Sequence, residues 1–188
     1  MAGSLTKVDE FTISSGVSSV IIGGGSSGSS SENFAIDNTY DVYLLQYSNL
    51  FMSNDGASTR IRFTVSGSPD TSSNYDNATQ NFYTNKAIYD GANQNVAYMP
   101  NLAGGTTAVE NQSGSMYLFN FSNSSEYSFA TLELLGATET PEYYGVMGGF
   151  VLTETQATDG VQFYTISGTI ASGTFKLYGL AKWLDIIW

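Results

Sequence analysis

Thr59-Arg60-Ile61-Arg62-Phe63-Thr64-Val65 alternates without interruption, with Ile61, Phe63 and Val65 on one side and Arg60, Arg62 and Thr64 on the other. A period of two belongs to an extended strand with one face toward a core, and it does not fit the 3.6-residue period of a helix. Phe175, Leu177 and Gly179 oppose Thr174, Lys176 and Tyr178 in the same manner. Working outward, apolar runs predict further strands at Tyr40–Tyr47, Met116–Phe121, Tyr127–Leu135, Tyr144–Thr153, Val161–Ile166 and Thr174–Leu180. Turn residues separate them: Ser53-Asn54-Asp55-Gly56, Ser66-Gly67-Ser68-Pro69-Asp70, Asp159-Gly160 and Ser172-Gly173. Many short strands joined by such turns predict an all-β fold, an antiparallel β-sandwich of jelly-roll type.

Composition agrees. Of 188 residues, 14% are aromatic and 12% charged, and aromatics suit pleated, half-buried surfaces. The length fits one domain with a sizeable core. With no cysteine and no histidine, disulfide frameworks, thiolate nucleophiles, Cys-type zinc sites and Ser-His-Asp hydrolysis are excluded. Seventeen acidic residues face six basic ones, for a net charge of −11. The bases are scattered through the chain, whereas phosphate backbones and anionic membranes are held by clustered Lys and Arg. Nucleic acid is therefore not an expected partner, nor is membrane insertion, since no run approaches the roughly 18 apolar residues of a spanning helix. Met1-Ala2-Gly3-Ser4-Leu5-Thr6-Lys7 has no apolar stretch behind its charge, so no signal peptide is expected.

Around the central strands the chain divides further. Residues 1–22 hold two short apolar runs, Val8 to Ile13 and Val17 to Ile22, spaced as a small hairpin or one bulged strand. Residues 23–35 begin Gly23-Gly24-Gly25-Ser26-Ser27-Gly28-Ser29-Ser30-Ser31 and read as a flexible linker. The expected organisation is an N-terminal anchoring arm (1–22), a linker (23–35), the sandwich (36–180) and an apolar tail (181–188). Between Pro69 and Gly114 lies a long polar stretch with dispersed aromatics. It reads as exposed loop with one short strand near Gln94–Met99.

Tyr43-Leu44-Leu45-Gln46-Tyr47-Ser48, Asp55-Gly56, Arg60-Ile61-Arg62-Phe63, Asn74-Tyr75-Asp76-Asn77 and a closing Ser172-Gly173-Thr174-Phe175-Lys176-Leu177-Tyr178-Gly179-Leu180 follow one another in that order. This succession resembles jelly-roll virion proteins of tailed, marine-type bacteriophages. The resemblance implies a trimeric module of a tail fibre, a tail appendage or a capsid decoration, located on the virion, with itself and other virion proteins as partners. Short of shaft repeats, the chain fits a compact knob better than a whole fibre.

Glu133, Glu139, Glu142, Glu154 and Asp159 fall in one window, and two carboxylates at the right separation hydrolyse glycosides. In so acidic a chain the clustering reads as solvated edges and turns, so no catalytic residue is assigned and a polysaccharide-degrading enzyme is the weakest reading. Asp37, Asp41, Asp70, Asp76 and Asn77 could supply oxygens to Ca²⁺ but form no EF-hand pattern and read as Asx-turns. Gly23–Gly25 lacks the lysine of a phosphate loop. No metal or cofactor is expected. Tyr75, Tyr83, Tyr89 and Tyr98 either pack under the long loop or present rings to a host glycan or receptor. That second use makes a carbohydrate- or receptor-binding adhesin the alternative function. Trp183, Leu184, Ile186, Ile187 and Trp188 are too apolar to remain in water and read as a buried oligomer or virion interface.

Overall fold

The computed structural model describes residues 4–82, 88–96, 105–138 and 143–180, and they build two antiparallel sheets facing each other. The strands are β1 (Leu5–Thr12), β2 (Ser19–Gly23), β3 (Val42–Met52), β4 (Thr59–Val65), β5 (Ser68–Pro69) and β6 (Tyr75–Phe82). They continue with β7 (Ile88–Gln94), β8 (Gln112–Phe119), β9 (Ser128–Ala137), β10 (Tyr143–Leu152), β11 (Gly160–Thr165) and β12 (Ile170–Leu180). The large sheet runs β1-β12-β3-β8-β9-β10-β6-β7 and the small one β2-β11-β4-β5. This order establishes the sandwich and does not carry the finer jelly-roll winding, which sets two Greek keys over eight strands.

Alternation directs one face of each sheet inward. In β9, Ser128, Ala130, Leu132 and Leu134 are buried while the residues between them are exposed. The two sheets meet through aromatic rings. Phe63 of β4 lies 4.7 Å from Phe121, 5.5 Å from Phe150 and 5.8 Å from Tyr75, centroid to centroid. Phe163 of β11 lies 5.3 Å from Tyr47 and 4.9 Å from Phe175. Offset and edge-on contacts of this kind add to the free energy of burial. They also fix the distance between the sheets.

The described part of the N-terminal region is neither a hairpin nor a tethered arm. β1 pairs with β12 at the edge of the large sheet, and β2 pairs with β11 at the edge of the small one. Between them the chain crosses from one sheet to the other, with Ile13 N–H donating to the Gly173 carbonyl and Val17 bridging Ile170. Ile13, Val20 and Ile22 are buried in the common core. Pairing with distant strands outcompetes the local turn because each run can then bury its apolar face against a complete sheet.

The glycine-serine segment is likewise part of the fold. Gly23, Gly24 and Gly25 have φ of 75°, 79° and 61°, a left-handed conformation that side-chain-bearing residues disfavour. Glycine is used here for its angles and not for looseness. Gly24 N–H donates to the Asp159 carbonyl (2.7 Å), Gly25 N–H to the Phe34 carbonyl (3.0 Å) and Ser29 N–H to the Ile21 carbonyl (2.8 Å). Ser29 Oγ accepts from Ile21 N–H at 2.8 Å. Asp9, buried on β1, closes the arrangement: it accepts from the N–H groups of Gly23 and Glu10 (2.9 Å each) and from the Ser30 hydroxyl.

The polar stretch from Pro69 to Gly114 also contains more structure than its composition suggests. β6 and β7 form a hairpin on the far flank of the large sheet. β7 ends at Gln94, and residues 97–99 of the short strand expected near Gln94–Met99 lie outside the described residues. Gly179, expected to admit a neighbouring backbone, instead leaves room for the Tyr40 ring, whose carbons would lie 2.3–2.4 Å from an added Cβ.

Candidate functional site

The outward face of the large sheet carries the most distinctive surface of the molecule. Register lines its side chains into rows. One row reads Lys176, Gln46, Ser115, Glu133, Met147 and Gln80 on six successive strands from β12 to β6. The next, toward the chain ends of β8 and β9, includes Ser113, Leu135, Gly145 and Phe82. Small side chains in the middle and larger ones to either side leave a groove of about 950 Å³.

Its floor is β3 and β8, with Gln46, Ser48, Ser113 and Ser115. One wall is β12, with Thr174, Lys176 and Tyr178; the other is built from Glu133, Leu135, Met147, Tyr143 and Phe82. With strands about 4.8 Å apart, walls on β12 and β9 stand roughly 14 Å from each other. Tyr143 is 82% exposed, Leu135 72%, and Phe82 and Met147 49% each. Aromatic and aliphatic side chains left this open, and gathered along one edge of a concavity, mark an interaction surface. Gly145 contributes by omission, because a Cβ there would press on Leu135 at 3.1 Å.

The charges in the groove are few. Among the described lining residues Glu133 is the carboxylate and Lys176 the ammonium. Lys176 lies 3.8 Å from Glu10 on β1, an exposed pairing that contributes little to stability. The remaining polar groups are hydroxyls and the Gln46 amide, neutral groups able both to donate and to accept.

No protein-family model, curated protein or solved structure matches the chain. The groove must therefore be read from its chemistry.

The residues singled out from sequence are distributed differently. Tyr75 cannot contact a host: it is fully buried, packed on Phe63, with its hydroxyl accepting from Phe63 N–H at 3.0 Å. Its phenol is needed to satisfy a backbone donor of the opposite sheet. Burial pushes its ionisation well above the ordinary tyrosine value of 10.0. Tyr89 lies on β7 at the flank of the large sheet. Tyr83, Tyr98, Trp183, Leu184, Ile186, Ile187 and Trp188 lie outside the described residues.

Among the carboxylates, Glu133 enters the groove, while Glu154 accepts from Asn74 and Gln156 in a polar cluster at the start of β6. Asp159 is engaged by the Thr64 hydroxyl (2.6 Å) and Gly67 N–H (2.7 Å). Glu139 and Glu142 lie outside the described residues. Asp37 and Asp70 form Asx-turns, accepting from Thr39 N–H at 2.9 Å and Ser72 N–H at 2.7 Å. Asp76 and Asn77 are built into β6. Among the described residues no three acidic groups gather as a metal would require.

A second surface lies on the outer face of the small sheet. Arg60 stands opposite Tyr164, and Arg62 opposite Gln162. Arg62 also spans to Tyr164, its guanidinium 4.6 Å from the ring centroid, while its Nε donates to the Asn95 carbonyl at 2.9 Å. A cation resting on a ring and tied to a loop carbonyl is positioned to hold the loop. This surface reads as structural.

Proposed function

We propose that this chain is a non-enzymatic structural module of a bacteriophage virion, a trimeric component of a tail fibre, appendage or capsid decoration, and that it grips its target through the groove of the large sheet. The observation that carries the contact role is the groove, with exposed Tyr143, Leu135, Met147 and Phe82 along one wall and a floor of small polar residues. The virion assignment is supported by the order of motifs from Tyr43 to Leu180 and by the sandwich they build. A role without chemistry fits a groove in which Glu133 is the one carboxylate among the described lining residues, because glycoside hydrolysis uses two flanking the bond. Self-association is assigned to the apolar tail, Trp183, Leu184, Ile186, Ile187 and Trp188.

The contact role is tested by replacing Ser115 at the centre of the groove floor with tyrosine, a strand-compatible residue that fills the concavity. Binding of the fluorescently labelled chain to bacterial envelope fractions should be lost in Ser115→Tyr and kept in wild type. Equal binding by both overturns the groove as the contact surface. Sedimentation at micromolar concentration tests assembly: a monomer mass overturns the trimer.

A further inference from the structure

We infer that the groove takes a neutral, polyhydroxylated ligand, a short stretch of uncharged oligosaccharide laid along the strands with sugar faces against Tyr143 and Phe82. This deepens the contact role proposed above and rests on it.

A peptide strand is recognised by adding to a free sheet edge, where unpaired N–H and C=O groups await it. The groove lies on a face, over β12, β3, β8, β9 and β10, strands that are each paired on both sides. Their backbone groups are turned sideways into the sheet, and only side chains meet the ligand. An amphipathic helix or an acyl chain needs a continuous apolar floor. Gln46, Ser48, Ser113 and Ser115 give a polar one. An anionic polymer would meet Glu133 directly, with Lys176, the one ammonium among the described lining residues, already beside Glu10, in a chain of net charge −11. The described wall residues hold no cluster of bases to repay the desolvation of a phosphate or sulfate.

What remains matches a sugar. Hydroxyl groups donate and accept at once, and so do the serine hydroxyls and the Gln46 amide, while Glu133 supplies two strong acceptor oxygens. The C–H faces of a sugar ring are apolar and flat, and Tyr143 and Phe82 on the same wall offer exposed rings to them. The groove's volume of about 950 Å³ is at the upper end for small-ligand sites, enough for several linked rings. Because the concavity is open above, a long polymer can pass through without being cut or threaded by its end.

The test uses the whole chain on an array of neutral hexose and N-acetylhexosamine oligomers, together with bacterial envelope fractions left untreated, oxidised with periodate or digested with protease. Binding of wild type to at least one oligomer class is expected. It should fall about tenfold in Tyr143→Ala, the loss of roughly one aromatic contact, and at least as far in Ser115→Tyr. Glu133→Gln should weaken it less than either. Envelope binding should vanish on periodate treatment, which cleaves vicinal diols, and survive protease. If envelope binding survives periodate and is destroyed by protease while Ser115→Tyr abolishes it, the groove remains the contact surface and the sugar ligand is overturned. Should Ser115→Tyr bind oligomers and envelopes like wild type, the contact role itself falls. No binding of wild type to either target overturns both.

Discussion

Replacing Asp9 with alanine is expected to destabilise the whole sandwich. Asp9 is buried, and its two oxygens accept from the N–H groups of Gly23 and Glu10 and from the Ser30 hydroxyl. Alanine strands the Gly23 N–H and the Ser30 hydroxyl where water does not reach. A hydrogen bond to a charged acceptor contributes about 1.5–3 kcal/mol net, and each stranded buried donor costs about 1–3 kcal/mol. Relief of the carboxylate's own desolvation offsets part of the sum. The net loss is about 3 kcal/mol, a large share of the roughly 5–15 kcal/mol that holds a domain folded. In urea, with a slope of about 1–3 kcal/mol/M, the midpoint should fall by at least about 1 M. Ser30→Ala in a double-mutant cycle with Asp9→Ala should be strongly non-additive, since the two share one bond. A shift below about 0.5 kcal/mol, with additive single effects, is the behaviour of an exposed site. That result would refute the docking of the glycine-serine segment.

Three further outcomes follow from the buried phenols and from Asp37. Tyr75→Phe keeps the ring but leaves Phe63 N–H without its acceptor, so chemical denaturation should show a loss of about 1–3 kcal/mol. In the wild type, burial raises the ionisation of both Tyr43 and Tyr75 above 10.0. The neutral phenol is thus favoured in the fold, and stability is full below that value and declines as pH rises past it; ultraviolet titration should show these two rings ionising only with unfolding. Asp37 moves the opposite way. Partial burial disfavours its charge, but hydrogen bonds from Thr39 and from the Tyr43 hydroxyl outweigh it and hold the carboxyl below its ordinary 3.8. Its contribution is present above that value and lost as pH falls through the lower folded one, so Asp37→Asn should flatten the acid limb of a stability profile.

The strands with clean alternation could be read directly. Thr59–Val65 is β4 to the residue, the run at Thr174–Leu180 lies inside β12, and the runs around Leu45, Leu132, Val146 and Phe163 overlap β3, β9, β10 and β11 without sharing their ends. Pairing was less visible. The runs at Val8 and Val17 look like a hairpin because they are close in sequence, and nothing local tells that their partners are β12 and β11. β6 lies in a stretch whose sequence reads as loop, because its inward positions include Thr79 and Asn81, which bury polar side chains and erase the hydrophobic alternation. The groove could not be seen at all as a unit, since its residues come from strands spread over much of the chain. A signal was nonetheless present. Tyr143-Tyr144-Gly145-Val146-Met147-Gly148-Gly149-Phe150-Val151-Leu152 is apolar in both phases, and a strand apolar on both faces, with no helix over its outer one among the described residues, suits the contact role proposed for the groove.

The crossing of the N-terminal segment between the sheets also sets the order of folding. β1 lies beside β12, the first strand beside the last, and β2 lies beside β11. Loop-closure entropy delays contacts so distant along the chain, and topologies dominated by them fold in milliseconds to seconds. On the ribosome both strands must wait, unpaired, until β11 and β12 have emerged. Their sequences suit that wait: Lys7, Asp9 and Glu10 charge the first, and glycines break the second as it ends, features that discourage a solitary strand from pairing with another molecule.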